Sequence, residues 1–338
     1  MNDLSVSMLD GAAPKLGCPE NWAFLPFLKE MKRHSSKLEI TEADSLSLSS
    51  LLESKALNCA FLPSIDLYNN EDLEMALPLG LSSGIAWTAF WGIKEDSTKL
   101  SSYIERRFEE LSLLAVDSGV VKSASKTSIK CFMDRAMSPS QPLKSLPYMR
   151  YDHLSGSFKV LAKLSYLLVF GKDAYTANDA MQGSAGTASE SSIDVKMGRD
   201  ALTKRCSYPK VFDLCSCFEQ ITSFPFVSMV LQKYRKEKLG ISKQLVMEAV
   251  DISHRKMTLE PSSYLPDQLP TNSNGCSIDL SAVWKTTSYK LSNDELKGLL
   301  AFLSMAKYID KRAVEDDILS LNILRCQKKG EELLTSLN

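Results

Sequence analysis

Short apolar runs alternate with segments of helical period over the first part of the chain. Lys15 to Cys18, Leu38 to Thr41 and Asn58 to Leu62 have the length of strands, and Ser47 to Lys55 repeats leucine at helical spacing. This alternation predicts βαβ units and a mainly parallel sheet, a first lobe. The apolar run Gly84 to Ile93, with Trp87, Phe90 and Trp91, then leads into a charged helix over Ser97 to Glu110, which reads as a crossing into a second lobe. Strands are predicted there near Leu113 to Val116, Tyr148 to Tyr151 and Tyr166 to Phe170. A helix over Thr127 to Met137 carries Ile129, Phe132, Met133 and Ala136 on one face.

The segment Val211 to Leu231, VFDLCSCFEQITSFPFVSMVL, reads as a loop that becomes a buried strand. Pro225 keeps Phe224 extended, and Phe226 to Leu231 is apolar enough to be covered on both faces. That strand returns the chain to the first lobe. Helices follow over Ser242 to His254, Ser292 to Tyr308 and Val314 to Lys328, the second opened by a capping box of Ser292 and Glu295, and all are expected to pack on lobe one. The lobes therefore divide as 1–92, 93–227 and 228–338. Thr176 to Lys210, rich in Ser, Ala, Gly and Thr, reads as a mobile surface insertion, and Pro261 to Cys276 as a loop.

Composition narrows the chemistry. A chain of 338 residues with 44% apolar content supports two compact lobes. Lys plus Arg total 40 against 41 for Asp plus Glu, which gives no footing for a nucleic-acid partner. The eight cysteines are scattered and read as reduced thiols, and His34, His153 and His254 stand apart without metal-ligand spacing, so neither a metal nor a cofactor is expected. The N-terminal residues show no secretory pattern and no apolar run reaches membrane-spanning length, so a cytoplasmic protein without a membrane partner is expected. Gly-x-Gly-x-x-Gly, Walker and Gly-x-Ser-x-Gly patterns are absent. Oligomeric state is left open.

Several residues sit where chemistry would be. In LPSIDLY, Ser64 lies at the carboxyl end of a central strand, the edge that faces the ligand crevice in open α/β sheets; on spacing alone the cap of the following turn is the favoured reading. Ser125, Lys126, Thr127 and Ser128 precede an amphipathic helix and read as an N-cap or an anion site. Asp173 follows Gly171 after an apolar run, as a hydrogen-bond acceptor or a turn aspartate. Trp87, Phe90 and Trp91 read as core packing in preference to a stacking platform.

The segments KLGCPENWAFLPF, LNCAFLPSIDLY, SSGIAWTAFW, SKTS, YLLVFGKDAY, VFDLCSCFEQITSFPFVSM and SYKLSNDELKGLLAFLSMAKYID, in that order, resemble the chorismate dehydratase family of the futalosine route to menaquinone. The resemblance implies a two-lobed type II periplasmic-binding-protein-like α/β fold, with a ligand cleft between lobes and the C-terminal helices on lobe one. It also implies a cofactor-free lyase that converts chorismate to 3-[(1-carboxyvinyl)oxy]benzoate and water. Substrate contacts then fall to Ser64, Gly84, Thr88, Thr127 and Ser128. Lys126 replaces the arginine usual in that family with a point charge. The family asparagine, three residues before the proline of the first turn, is Ala23 here; Asn21, two residues earlier and on the same face of a strand, is its substitute. Asn21 and Asp173 are thus the candidate catalytic residues, with His153 or a substrate carboxylate as other proton acceptors. A non-catalytic carboxylate-binding protein of the same fold and the related 1,4-dihydroxy-6-naphthoate synthase are the alternatives.

Overall fold

The computed structural model describes residues 13–34, 38–83, 89–94, 98–143, 145–151, 156–171, 192–266, 271 and 278–309. Its first sheet begins as the alternation predicts. Strands β1 (Lys15–Pro19), β2 (Glu39–Ala43) and β3 (Cys59–Pro63) run parallel, joined through α1 (Leu25–His34) and α2 (Ser45–Glu53). All five residues of β3 are buried, as a strand covered on both faces requires. Asp44 accepts from the amides of Leu46 and Ser47 and so fixes where α2 starts.

After the short helix α3 (Asp66–Asn69), β4 (Leu73–Ser83) leaves the sheet at the edge where β1, β2 and β3 also end. The chain re-enters at that edge with β9 (Phe226–Tyr234), which inserts antiparallel between β3 and β4. With β10 (Thr287–Lys290) outermost, the order is β10-β4-β9-β3-β1-β2. Buried polar residues of β9 hold the end of β3. Gln232 Nε2 donates to the carbonyls of Leu62 and Pro63 at 3.3 and 2.9 Å, and the Ser228 carbonyl accepts from the Ser64 amide at 2.9 Å.

The second sheet, of order β6-β7-β5-β8, comprises β5 (Ala89–Ile93), β6 (Tyr148–Tyr151), β7 (Ser192–Met197) and β8 (Lys210–Asp213). Phe90 and Trp91 of β5 are fully buried. On one face α8 (Leu214–Thr222) packs on β5 and β8 and is joined by α4 (Thr98–Ser118) and α6 (Gly156–Phe170), with α5 (Lys126–Ala136) against α4 and α6; α7 (Gly198–Lys204) lies against β5 and β7.

Several sequence expectations are corrected. Leu113 to Val116 is the last part of α4, because Ile104, Phe108, Leu111 and Ala115 continue one buried helical stripe while Leu113 and Val116 face outward. Tyr166 to Phe170 ends α6. That helix is packed by α4, α5, α8 and β9, so its last turn is buried all round and shows no helical period. Ser192 to Lys210 is no surface insertion: β7 is an interior strand with Ile193, Asp194 and Val195 buried, and α7 follows it. Residues 172–191, and the helix expected over 314–328, lie outside the described residues. Pro261–Tyr264 forms a 3-10 turn that buries Tyr264.

The C-terminal helices divide their packing. α9 (Lys243–Leu259) packs on α1 and α10 (Leu280–Lys285) packs on α9, whereas α11 (Asn293–Ala306), opened by the expected capping box, lies on β9 and also against α5, α6 and α8. Phe302 of α11 meets Phe226 edge-on at 4.9 Å and Phe218 at 6.4 Å. Gly298 allows this approach, since a Cβ there would stand 2.0 Å from the Pro225 carbonyl oxygen.

The second lobe is stapled by Arg107, which is 2% exposed. Its guanidinium donates to the carbonyls of Ala136 and Leu168, the C-terminal ends of α5 and α6, and lies 2.8 Å from the Glu110 carboxylate. A cation there satisfies orphan carbonyls and complements two helix dipoles. Arg107→Met should lower unfolding free energy by about 3 kcal/mol in urea titration, because it uncaps two buried helix ends and leaves Glu110 unpaired.

Candidate functional site

The carboxyl ends of β1, β2 and β3 share one edge, where an α/β sheet presents its turns to a ligand. A cleft of about 450 Å³ opens there beside β1 and is lined by Glu20, Asn21, Trp22, Leu25 and Glu42 from the first lobe and Gly198 from the second. Asn21 does not continue the strand, as the sequence argument for its equivalence to Ala23 requires. It caps a 3-10 turn, Trp22–Phe24, with its side-chain oxygen accepting from the Ala23 amide at 2.9 Å. Among the described residues its side-chain NH2 group makes no hydrogen bond. Trp22 is pinned from behind by Trp284, whose indole N–H donates to the Trp22 carbonyl at 2.9 Å. Ala23, 3% exposed, is turned inward, and its carbonyl accepts from Tyr289.

Ser64 has a different setting. It is fully buried, and its hydroxyl donates to the Val227 carbonyl at 2.7 Å and lies 2.9 Å from the hydroxyl of Ser157 on α6. Ser157 Oγ also accepts from the Ile65 amide at 3.1 Å. With Ser64 donating to Val227, Ser157 donates to Ser64, and every polar group in the seam is used. Beside it, Gly156 takes a φ of +55°, and a Cβ there would come within 2.5 Å of the Pro63 ring. Ser64 therefore ties the two lobes together.

Thr127 and Ser128 stand in the first turn of α5, where the Ser125 hydroxyl accepts from the Ser128 amide at 3.2 Å and pairs with the Ser128 hydroxyl at 2.8 Å. Thr127 is exposed. Gly84, Thr88, His153 and Asp173 lie outside the described residues. The Asp-Leu and Thr-x-x-Pro-Phe-Val motifs organise the chain crossing. Asp213 caps α8 at the Ser216 amide, 3.0 Å away, and Thr222 binds the Phe224 amide and carbonyl just ahead of Pro225. Burial raises the Asp213 pKa, opposed by the Ser216 amide and by Arg205.

The sequence reading missed Glu20, Trp22, Glu42 and Gly198 as cleft residues, and it passed over Asp66. Asp66 is half-buried just past Ser64, and burial pushes its pKa up to about 6. Its position three residues beyond the end of β3 was the available signal. Among the described residues no three His, Cys, Asp or Glu side chains converge as a metal would need, the six cysteines are free thiols, and no helix is long and apolar enough to cross a membrane.

No family model matches the chain, and no curated protein matches it. Among solved structures it is similar to the Candida albicans CA3427 gene product, a protein with the generic periplasmic-binding-protein fold, at 12% identity, 92% of this chain, 94% of that one and a TM-score of 0.49. A Staphylococcus aureus ligand-binding component of an ABC-type import system gives 13%, 91%, 98% and 0.49. Protein AF1704 from Archaeoglobus fulgidus gives 11%, 88%, 97% and 0.48. The strand order described above, with a return strand inserted antiparallel beside β3 and a second sheet between the two crossings, makes this a mixed α/β, two-sheet, periplasmic-binding-protein-like fold.

The seam has a measurable signature. Ser64→Ala and Ser157→Ala should each cost about 1–3 kcal/mol in denaturant titration, and the double variant should fall short of their sum by on the order of 1 kcal/mol. Additive losses would mean that the two hydroxyls do not act as a pair.

Proposed function

We propose that this chain is a cofactor-free lyase of the chorismate dehydratase type, with chorismate held in the cleft beside β1 and converted to 3-[(1-carboxyvinyl)oxy]benzoate and water. The observation that carries this reading is Asn21 in the cleft wall of the first lobe, with Gly198 of the second lobe lining the same cleft. A neutral amide donor at a strand end, in a cleft bounded by two lobes, is the kind of group that orients a polar substrate as water is excluded. The motif series of the sequence supports the choice of substrate.

The chemistry asks little of the protein. Loss of the ring C3 proton and the neighbouring hydroxyl yields an aromatic ring, so orientation and exclusion of water supply most of what is required. Asn21 is assigned the orienting donor; Thr127 and Ser128, which the resemblance implied as substrate contacts, are not among the residues that line this cleft. Trp22 and Leu25 give the ring an apolar wall.

A second reading, a cleft that binds a small carboxylate without turning it over, is favoured by two specific features. The Ser64 hydroxyl is spent in the seam, and the family asparagine is replaced by the buried Ala23.

Incubation with chorismate, followed by mass and ultraviolet spectrum, separates the readings. The expected result is enzyme-dependent loss of one water to an aromatic enolpyruvyl ether, with kcat/KM reduced about 10²-fold in Asn21→Ala and thermal stability retained. Saturable binding without product would select the second reading, and neither binding nor product would overturn both.

A further inference from the structure

A second hollow, of about 290 Å³, lies on the α2 side of the same sheet edge. Ser45, Leu46 and Ser49 of α2, with Pro63, Asp66 and Asn69, form its first-lobe walls, and Gly156 of the second lobe closes it beside the Ser64–Ser157 seam. Asp66 is the one charged residue in the lining. Among the described residues its carboxylate makes no hydrogen bond and no ion pair.

Asp66 opens α3, and α2 and α6 also begin at the hollow, so helix ends face the carboxylate, but no side-chain cation among the described residues pairs with it. Asp44 is occupied as the cap of α2, and Glu74 on β4 is paired with Lys233 at 2.7 Å. Glu53 ends α2, Glu71 and Asp72 follow α3, and Lys159 and Lys163 belong to α6. Burial alone, and none of these groups, is the cause of the raised Asp66 pKa. The hollow thus combines one partly desolvated anion, neutral hydroxyl and amide groups, and apolar surface from Pro63 and from Leu46, which is 79% exposed. Its volume is that of a very small ligand.

We propose that this hollow is a second site, independent of the cleft beside β1, that takes a small organic ammonium ion. The cation pairs with the Asp66 carboxylate, its N–H groups meet the serine and asparagine oxygens, and its short alkyl stem covers Leu46 and Pro63. Binding competes with protonation of Asp66, so affinity holds above the Asp66 pKa and falls as pH drops through about 6. Because the site touches both lobes beside their seam, occupancy favours the arrangement in which Gly156 rests on Pro63.

The test is titration with n-butylammonium chloride followed by amide NMR shifts, on wild type and Asp66→Asn, at pH 7.5 and 5.0. Saturable shifts confined to 45–49, 66–70 and 156 are expected at pH 7.5. Affinity should be about tenfold weaker at pH 5.0, where a group of pKa about 6 is roughly one-tenth ionised, and at least tenfold weaker in Asp66→Asn at pH 7.5. Equal affinity in Asp66→Asn, equal affinity at both pH values, or equal binding of neutral n-butanol would overturn the proposal. Chorismate turnover, measured on the same two proteins, should be unchanged by Asp66→Asn, so failure of this site and failure of the lyase reading remain distinguishable.

Discussion

Burying a hydroxyl away from water costs more than its apolar equivalent unless each donor and acceptor finds a partner. At the join of the two lobes, Ser64 and Ser157 meet this constraint only together. Ser64 reaches the Val227 carbonyl, Ser157 reaches Ser64, and the Ile65 amide reaches Ser157. Ser157 and the Ile65 amide both lose their partners if α6 moves away from the end of β3, and Ser64 keeps only Val227. The seam therefore fixes how the second sheet sits over the carboxyl edge of the first, and the apolar core runs through it without a break from Leu62 and Ile65 to Leu161 and Phe226.

That fixed join determines where ligands can enter. On one side of the β1 and β3 ends lies the cleft with Asn21 and Gly198; on the other lies the smaller hollow with Asp66 and Gly156. The two glycines come from opposite parts of the second lobe, and both stand against turns that follow parallel strands. Function in such a fold depends on what these turns present, and the fold itself is shared by proteins of unlike activity. Here the larger opening presents a neutral amide with an aromatic wall, and the smaller presents an unpaired carboxylate.

The start of the first lobe was legible because its elements carry local signals, whereas β4 and the edge strand β10 were not read from the sequence. Asp44 and Ser292 mark helix starts with side chains that bind the first amides, and Cys59 to Pro63 is apolar without a break because both faces of β3 are covered. The second lobe was less so. The last turn of α6 is enclosed on all sides, so its sequence loses the polar face that distinguishes helix from strand, and Asp194, buried in β7, interrupts the apolar signal of an interior strand. Asn21 was reached through the resemblance and a strand alternation that the 3-10 turn replaces, and the fate of Ser64 depended on Ser157, 93 positions away, a pair that no local pattern announces.

If the cleft beside β1 receives the ligand, the seam stays closed as the ligand enters. Hydrogen–deuterium exchange with and without chorismate tests both halves at once. Slower exchange is expected at the amides of 21–25 and 198–200, with the already protected Ser64 and Ile65 amides unchanged. Protection centred on Ser64 and Ile65, with none at 21–25, would contradict it.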